Sequence, residues 1–342
     1  MKYIKNRIRV IISVALTTML ILGAMGCGNK DNAKDAAASD DKSKKEIILN
    51  VGDFQSFPTT AHTAIAENNG YFDEEFKKDN ITVKVYRFIN GPAINEAFAS
   101  GAIDVAPAGD QPTITGIANS KACKIIAIGE RAKGTSALFV RSDSKFTDIS
   151  QVKGKKVAVS VGTYSQKILN QWLEKAGLQE SDINLVNIQS ASDVLNALVA
   201  GNVDFAVNSL MAFWDAYSSG KIKKIIDNEE NPAYVTYVAR NEYLKEHPDI
   251  VVRYLKVLDR AYEWQKTHIK ETAAISEKIT GMNAKSLEVL LPKVDLNLDI
   301  NAEDIDALGK TNTFMINRDL VRGDFNIKDY IDDSFIKKAL GK

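Results

Sequence analysis

The sequence predicts an α/β fold of two similar lobes, each a mainly parallel sheet flanked by helices, with two hinge crossings between them. Three observations predict it. Strand-like apolar runs alternate with helical segments from Ile47 onward, an order that implies parallel strands with helical crossovers. A segment recurs 100 residues later: INEAFASGAIDVA at 94–106 parallels VLNALVAGNVDFA at 194–206, so the lobes are related. The length, 342 residues, fits about two domains.

Lys2, Lys5, Arg7 and Arg9 make a basic start, and no charge occurs from Val10 to Gly26. That is the layout of a secretory signal over 1–26. Small residues Gly23-Ala24-Met25-Gly26 then precede Cys27. The junction resembles a bacterial lipoprotein signal, with Ala24 where Leu is usual, and implies that Cys27 is lipidated. Several acyl chains anchor stably where one does not. Residues 28–45 hold no aromatic and no large aliphatic side chain. They cannot bury enough to offset ordering, so 27–46 is expected to be the lipidated Cys27 and a disordered tether.

The first lobe begins at residue 47. Ile47–Val51 reads as a buried strand stopped by Gly52, and about Pro58 to Asn68 as a helix with Pro in its first turn. Ile81–Phe88 is a second strand. Ala93–Ser100 is a short helix closed by Gly101, and Ile103–Ala106 a third strand. A helix follows Pro112, then a strand at Lys124–Ile128, which leaves Cys123 as a small core residue. The second lobe spans 137–234. Val157–Gly162 echoes the first strand, and a helix runs from about Ser165 to Lys175. Ala137–Val140 and Tyr234–Ala239 are the strands at the crossings, with hinges near Thr135–Ala137 and Ala233–Thr236. Residues 235–342 complete the first lobe with helices, among them Asn241–Glu246 and a long one from Pro248 to about Thr267 whose apolar residues keep helical spacing.

Composition excludes several function classes. There are 44 basic and 44 acidic side chains, so no basic footprint for nucleic acid. Two cysteines give no disulfide framework. His62, His247 and His268 are scattered, without the spacing of a metal site or a hydrolase. There is no P-loop, and no cofactor and no metal is expected. His62 is read as structural.

Ligands of open parallel sheets sit beyond the carboxyl ends of the strands. Loops there are polar and contain Gly: Gln55-Ser56, Gly109-Asp110-Gln111, Gly162-Thr163-Tyr164-Ser165, and Asn208 followed by Trp214-Asp215. Some open helices, whose first N–H groups lack partners and sit at the positive end of the helix dipole. Gly109–Gln111 and Gly162–Ser165 are therefore candidate anion cradles. Thr163, Ser165 and Asp110 are equally suited to capping their own helices. Asp110 would suit a ligand amine. Trp214 would wall an apolar chain.

The segments Asn90-Gly91-Pro92, Ala99 to Val105, Gly109-Asp110-Gln111-Pro112, Asp148 to Ala158, Leu173 to Leu178 and Trp214-Asp215 resemble the binding proteins of ABC importers for aliphatic sulfonates, taurine and nitrate. Only the first loop departs, with Asp53-Phe54-Gln55 where Gly-Tyr-Gln is expected. The resemblance implies a type II periplasmic-binding-protein-like fold that closes on its solute by hinge bending. It implies a small anionic ligand, an ABC permease as partner, and a monomer held outside the cell membrane by its lipid anchor. The alternatives are a binder of a thiamine-precursor pyrimidine, stacked by Phe54, Tyr164 and Trp214, and an enzyme on the same two-lobed fold.

Overall fold

The computed structural model describes residues 45–342. The signal, Cys27 and nearly all of the tether lie outside them. Eleven strands form two sheets. The first half of the chain runs β1 (Ile47–Phe54), α1 (Thr60–Asn68), α2 (Tyr71–Phe76), β2 (Ile81–Phe88), α3 (Gly91–Ala99), β3 (Val105–Gly109), α4 (Asp110–Ser120) and β4 (Cys123–Ala132). It then crosses to β5 (Ser136–Arg141), β6 (Lys156–Val159), α5 (Tyr164–Lys175), β7 (Asn184–Asn187), α6 (Ala191–Val199), β8 (Phe205–Ser209), α7 (Trp214–Ser218) and β9 (Ile222–Asp227). It returns through β10 (Ala233–Arg240) to α8 (Asn241–Glu246), α9 (Pro248–Gln265), α10 (Ile269–Thr280), α11 (Ala284–Leu290), β11 (Val294–Asp295), α12 (Ala302–Ile316) and α13 (Ser334–Ala339).

The first sheet has the order β11-β4-β10-β3-β1-β2, the second β7-β6-β8-β5-β9. Both are mixed. β2 and β3 pair parallel to β1, and β7 and β8 parallel to β6. The strand that enters from the other sheet runs antiparallel in each case: β10 between β3 and β4, and β5 between β8 and β9. The links β4–β5 and β9–β10 are thus the two places where the chain changes sheet.

The repeat is expressed in hydrogen bonds. Gly101 and Gly201 take the same left-handed turn, with φ of 72° and 75°. The following N–H returns to Ala97 O or Ala197 O, at 2.9 Å in both. Asp104 then accepts from Asn50 N on β1, as Asp204 accepts from Lys156 N on β6, each at 2.9 Å. The two aspartates clip equivalent strands.

Gly52 does not stop β1. A Cβ there would lie 2.7 Å from Ile103 and 2.8 Å from Ala106, so glycine lets the strand run on against its neighbour. The third strand starts at Val105 and reaches Gly109, because Asp104 is occupied with its clip. α9 buries Val251, Leu255 and Leu258 completely against the first sheet's core. No described helix is long and apolar enough to cross a membrane.

Candidate functional site

A cavity lies between the sheets and is lined from both. Ser56 follows β1, Gly109 ends β3, Asn208 is near the end of β8, and Thr163–Ser165 follow β6 into α5. These are carboxyl ends of parallel strands, as open α/β sheets dictate. Thr135-Ser136, where the chain enters β5, and Ala233–Val235, the start of β10, also line it.

α5 supplies the donors. Thr163 is extended before the helix, with φ −117° and ψ 171°, and its hydroxyl donates to Ser160 O at 2.7 Å instead of capping. The N–H groups of Tyr164 and Ser165 stand in the first turn, where no intrahelical acceptor exists, and no other described group accepts from them. The Tyr164 hydroxyl donates to Asn231 O (2.6 Å) and accepts from Asn228 Nδ2 (3.1 Å). Burial pushes its pKa well above the usual phenol range. Asn228 also accepts from Ser136 N (2.9 Å) and donates to Ala132 O (3.0 Å), so one side chain ties Tyr164 to the β4–β5 link.

Ser56, Gly109, Thr163, Tyr164, Ser165 and Asn208 are brought together at the cavity. Six other candidates lie outside its lining. Asp110 is fully buried and already engaged: it accepts from Gln111 N (2.8 Å) and the Thr311 hydroxyl (2.9 Å), and pairs with Lys167 Nζ. It does not await a ligand amine. Gln111 is buried beside it. Gln55 is exposed, its N–H spent on Phe88 O (2.9 Å). Gly162 makes the turn before α5, with φ 79°, and its N–H goes to Gln166 Oε1 (2.9 Å), so the cradle is Thr163–Ser165 alone. Trp214 packs on the second sheet's core and against Tyr217, and Asp215 accepts from Asn283 Nδ2 (2.8 Å).

Sequence reasoning missed several lining residues. Phe57 packs tilted on Phe54, the residue already named for stacking a ring, at 4.3 Å between ring centres, and the two form an apolar wall. Asn90 donates to Gln189 Oε1 across the sheets at 2.9 Å, and both line the cavity. Asn90 sits in a segment already singled out; for Gln189 the sequence holds no signal. Glu130 lines the cavity from β4 and is 3% exposed. Burial pushes its pKa up to about 8, with the Thr59 N–H partly opposing. Its available signal was an acid that ends the apolar run Ile125–Gly129 inside the strand. No Lys, Arg or His lines the cavity among the described residues.

Two sheets exchanging two links around such a cavity define a periplasmic-binding-protein-like fold. The fold matches the aliphatic sulphonate binding protein SsuA from Escherichia coli with a TM-score of 0.73 and 21% identity, over 83% of this chain and 92% of that one. An alkanesulfonate-binding protein from Xanthomonas axonopodis pv. citri, bound to MOPS, matches equally (0.73, 18% identity, 83% and 98% covered). The desulfurization enzyme DszB shares the fold more distantly, at 0.68 and 15% identity, over 86% of this chain and 99% of that one. The chain belongs to the NMT1/THI5-like family, whose model matches residues 58–272. An aliphatic sulfonates-binding protein of Bacillus subtilis (strain 168) is 30% identical over 335 residues, 96% of each chain.

Proposed function

We propose that this protein is the extracytoplasmic solute-binding component of an ABC importer. It captures a small organic anion, an aliphatic sulfonate or taurine before nitrate, and delivers it to a membrane permease. It is held at the membrane by lipidated Cys27 and is not an enzyme. The observation that carries the reading is the free N–H start of α5 facing a cavity that both sheets line. Such a helix start binds anions without a fixed cation. The named ligands of the Bacillus subtilis and Escherichia coli relatives support it. Closure would pivot on the β4–β5 and β9–β10 links, because only those change sheet. The pyrimidine alternative asks for Phe54, Tyr164 and Trp214 around one ring, and Trp214 does not line the cavity.

A thermal-shift screen of taurine, alkanesulfonates, nitrate and pyrimidines tests this. A true ligand at 100 times its Kd adds about 2.7 kcal/mol to stability. Taurine or an alkanesulfonate is expected to raise the melt, and the cells should shed the Cys27→Ser variant into the medium. A shift with pyrimidines only would remove the anion reading.

A further inference from the structure

The cavity contains an unexplained carboxyl group. Glu130 Oε2 is buried and has no hydrogen-bond partner among the described residues. Buried polar groups are normally paired, and leaving one unpaired costs stability. The Thr59 N–H serves this carboxyl, and no Lys, Arg or His among the described residues lining the cavity supplies a cation for it. The other formal charge of the ligand reading, an anion, already has its place at Tyr164 N and Ser165 N on the opposite sheet's side.

We propose that Glu130 is the subsite for a ligand ammonium, so that the solute is an aminoalkanesulfonate-type zwitterion and not a plain alkanesulfonate. This rests on the sulfonate reading above and narrows it. Charge balance favours it. A plain sulfonate would place a net anion in a cavity whose only ionisable carboxyl has no counter-charge. A zwitterion brings its own cation, and an opposite charge within about 4–6 Å favours the ionised carboxylate. Without ligand, burial holds the group neutral up to about pH 8. Geometry favours it too. Glu130 belongs to the first sheet and α5 follows a strand of the second. One ligand end then meets each lobe, and the pair of contacts exists only when both lobes are together, which is what biases a hinge toward closure.

Taurine and 1-propanesulfonate have the same number of heavy atoms and differ in one end group, ammonium against methyl. Calorimetry on the wild-type protein should show taurine binding at least roughly tenfold tighter, as a charge-assisted hydrogen bond requires. Glu130→Gln keeps the shape and removes the charge. It should bring the two ligands within about threefold by weakening taurine, with 1-propanesulfonate unchanged or tighter. A second readout needs no variant. At pH 7 taurine should release a proton from Glu130, seen as a dependence of the heat on buffer ionisation, while 1-propanesulfonate should not. The titratable groups that sense Glu130 are Tyr164 of α5 and Tyr237 of β10, and both hydroxyls are held well above their usual range, so neither contributes. Equal wild-type affinities, with Glu130→Gln weakening both ligands alike and no proton release, would overturn the proposal, because Glu130 would then act as a neutral donor to the anion. Failure of both sulfonates in a protein that nitrate or a pyrimidine stabilises would overturn the sulfonate reading itself.

Discussion

At the scale of single residues, the cavity between the sheets is bought with stability. Glu130 has a folded pKa of about 8 against an ordinary 4.5. Below 4.5 both states hold the proton and nothing is lost. Above it the unfolded chain ionises while the folded one does not, so stability falls as pH rises until about 8. Buried Asp53, raised to about 7, acts with the same sign. His62 acts oppositely: burial lowers it to about 3, so below its ordinary 6.5 only the unfolded chain takes up the proton and stability falls with acid. Glu130→Gln should therefore melt higher than wild type at pH 7.5 without ligand, by a few kcal/mol at most, since one pKa unit is about 1.4 kcal/mol. The gain should disappear near pH 4.5. A gain of equal size at both pH values would mean that packing, not ionisation, is responsible. The cost resides in a residue that lines the site, as expected where function is selected over stability.

At the scale of elements, the duplicated clip explains what was legible. A helix, a left-handed glycine and an aspartate recur because the same local problem recurs: ending a helix and pinning the next strand to the first. Those requirements are local, so residue spacing exposes them. The edge strands β7 and β9 were not legible. NLVN and IKKIID carry little of the apolar alternation that marks a strand, and pairing on one side holds them in place. The copies also differ in burial, and this gives a prediction. Asp104 is 2% exposed and serves Asn50 N, Asn50 Nδ2 and Arg240. Asp204 is half-buried, and water can replace it at Lys156 N. By urea unfolding, Asp104→Ala should cost about 1–3 kcal/mol and Asp204→Ala less than about 1 kcal/mol. Equal costs would show that the two clips are not graded by burial.

At the scale of the molecule, the residues that sequence reasoning misplaced are those whose roles depend on how the sheets meet. Asp110 was legible as a helix-start residue; that Lys167 of α5 and Thr311 of α12 would surround it was not, because the three are brought together only by the tertiary fold. Asp110 opens α4 on the first sheet's side, and Lys167 follows β6 of the second, so their ion pair joins the lobes. Both side chains are buried when the lobes are together. A buried charge left without its partner costs about 3–5 kcal/mol, whereas the same charge in water costs little. If opening of the cleft separates the pair, Lys167→Met penalises the closed state and spares the open one. The variant should then populate the open form, with a larger radius of gyration by solution scattering. Its affinity for whichever solute the thermal-shift screen identifies should fall by at least roughly tenfold, because apparent affinity scales with the closed fraction. Neutralising the orphan in Asp110→Asn/Lys167→Met should recover most of both. If the radius stays fixed and unfolding stability drops by about 3–5 kcal/mol instead, the pair persists in both states and lies on the hinge axis. Closure would then be governed by the cavity contacts alone, with Asn90 and Gln189 as the groups that meet when it shuts.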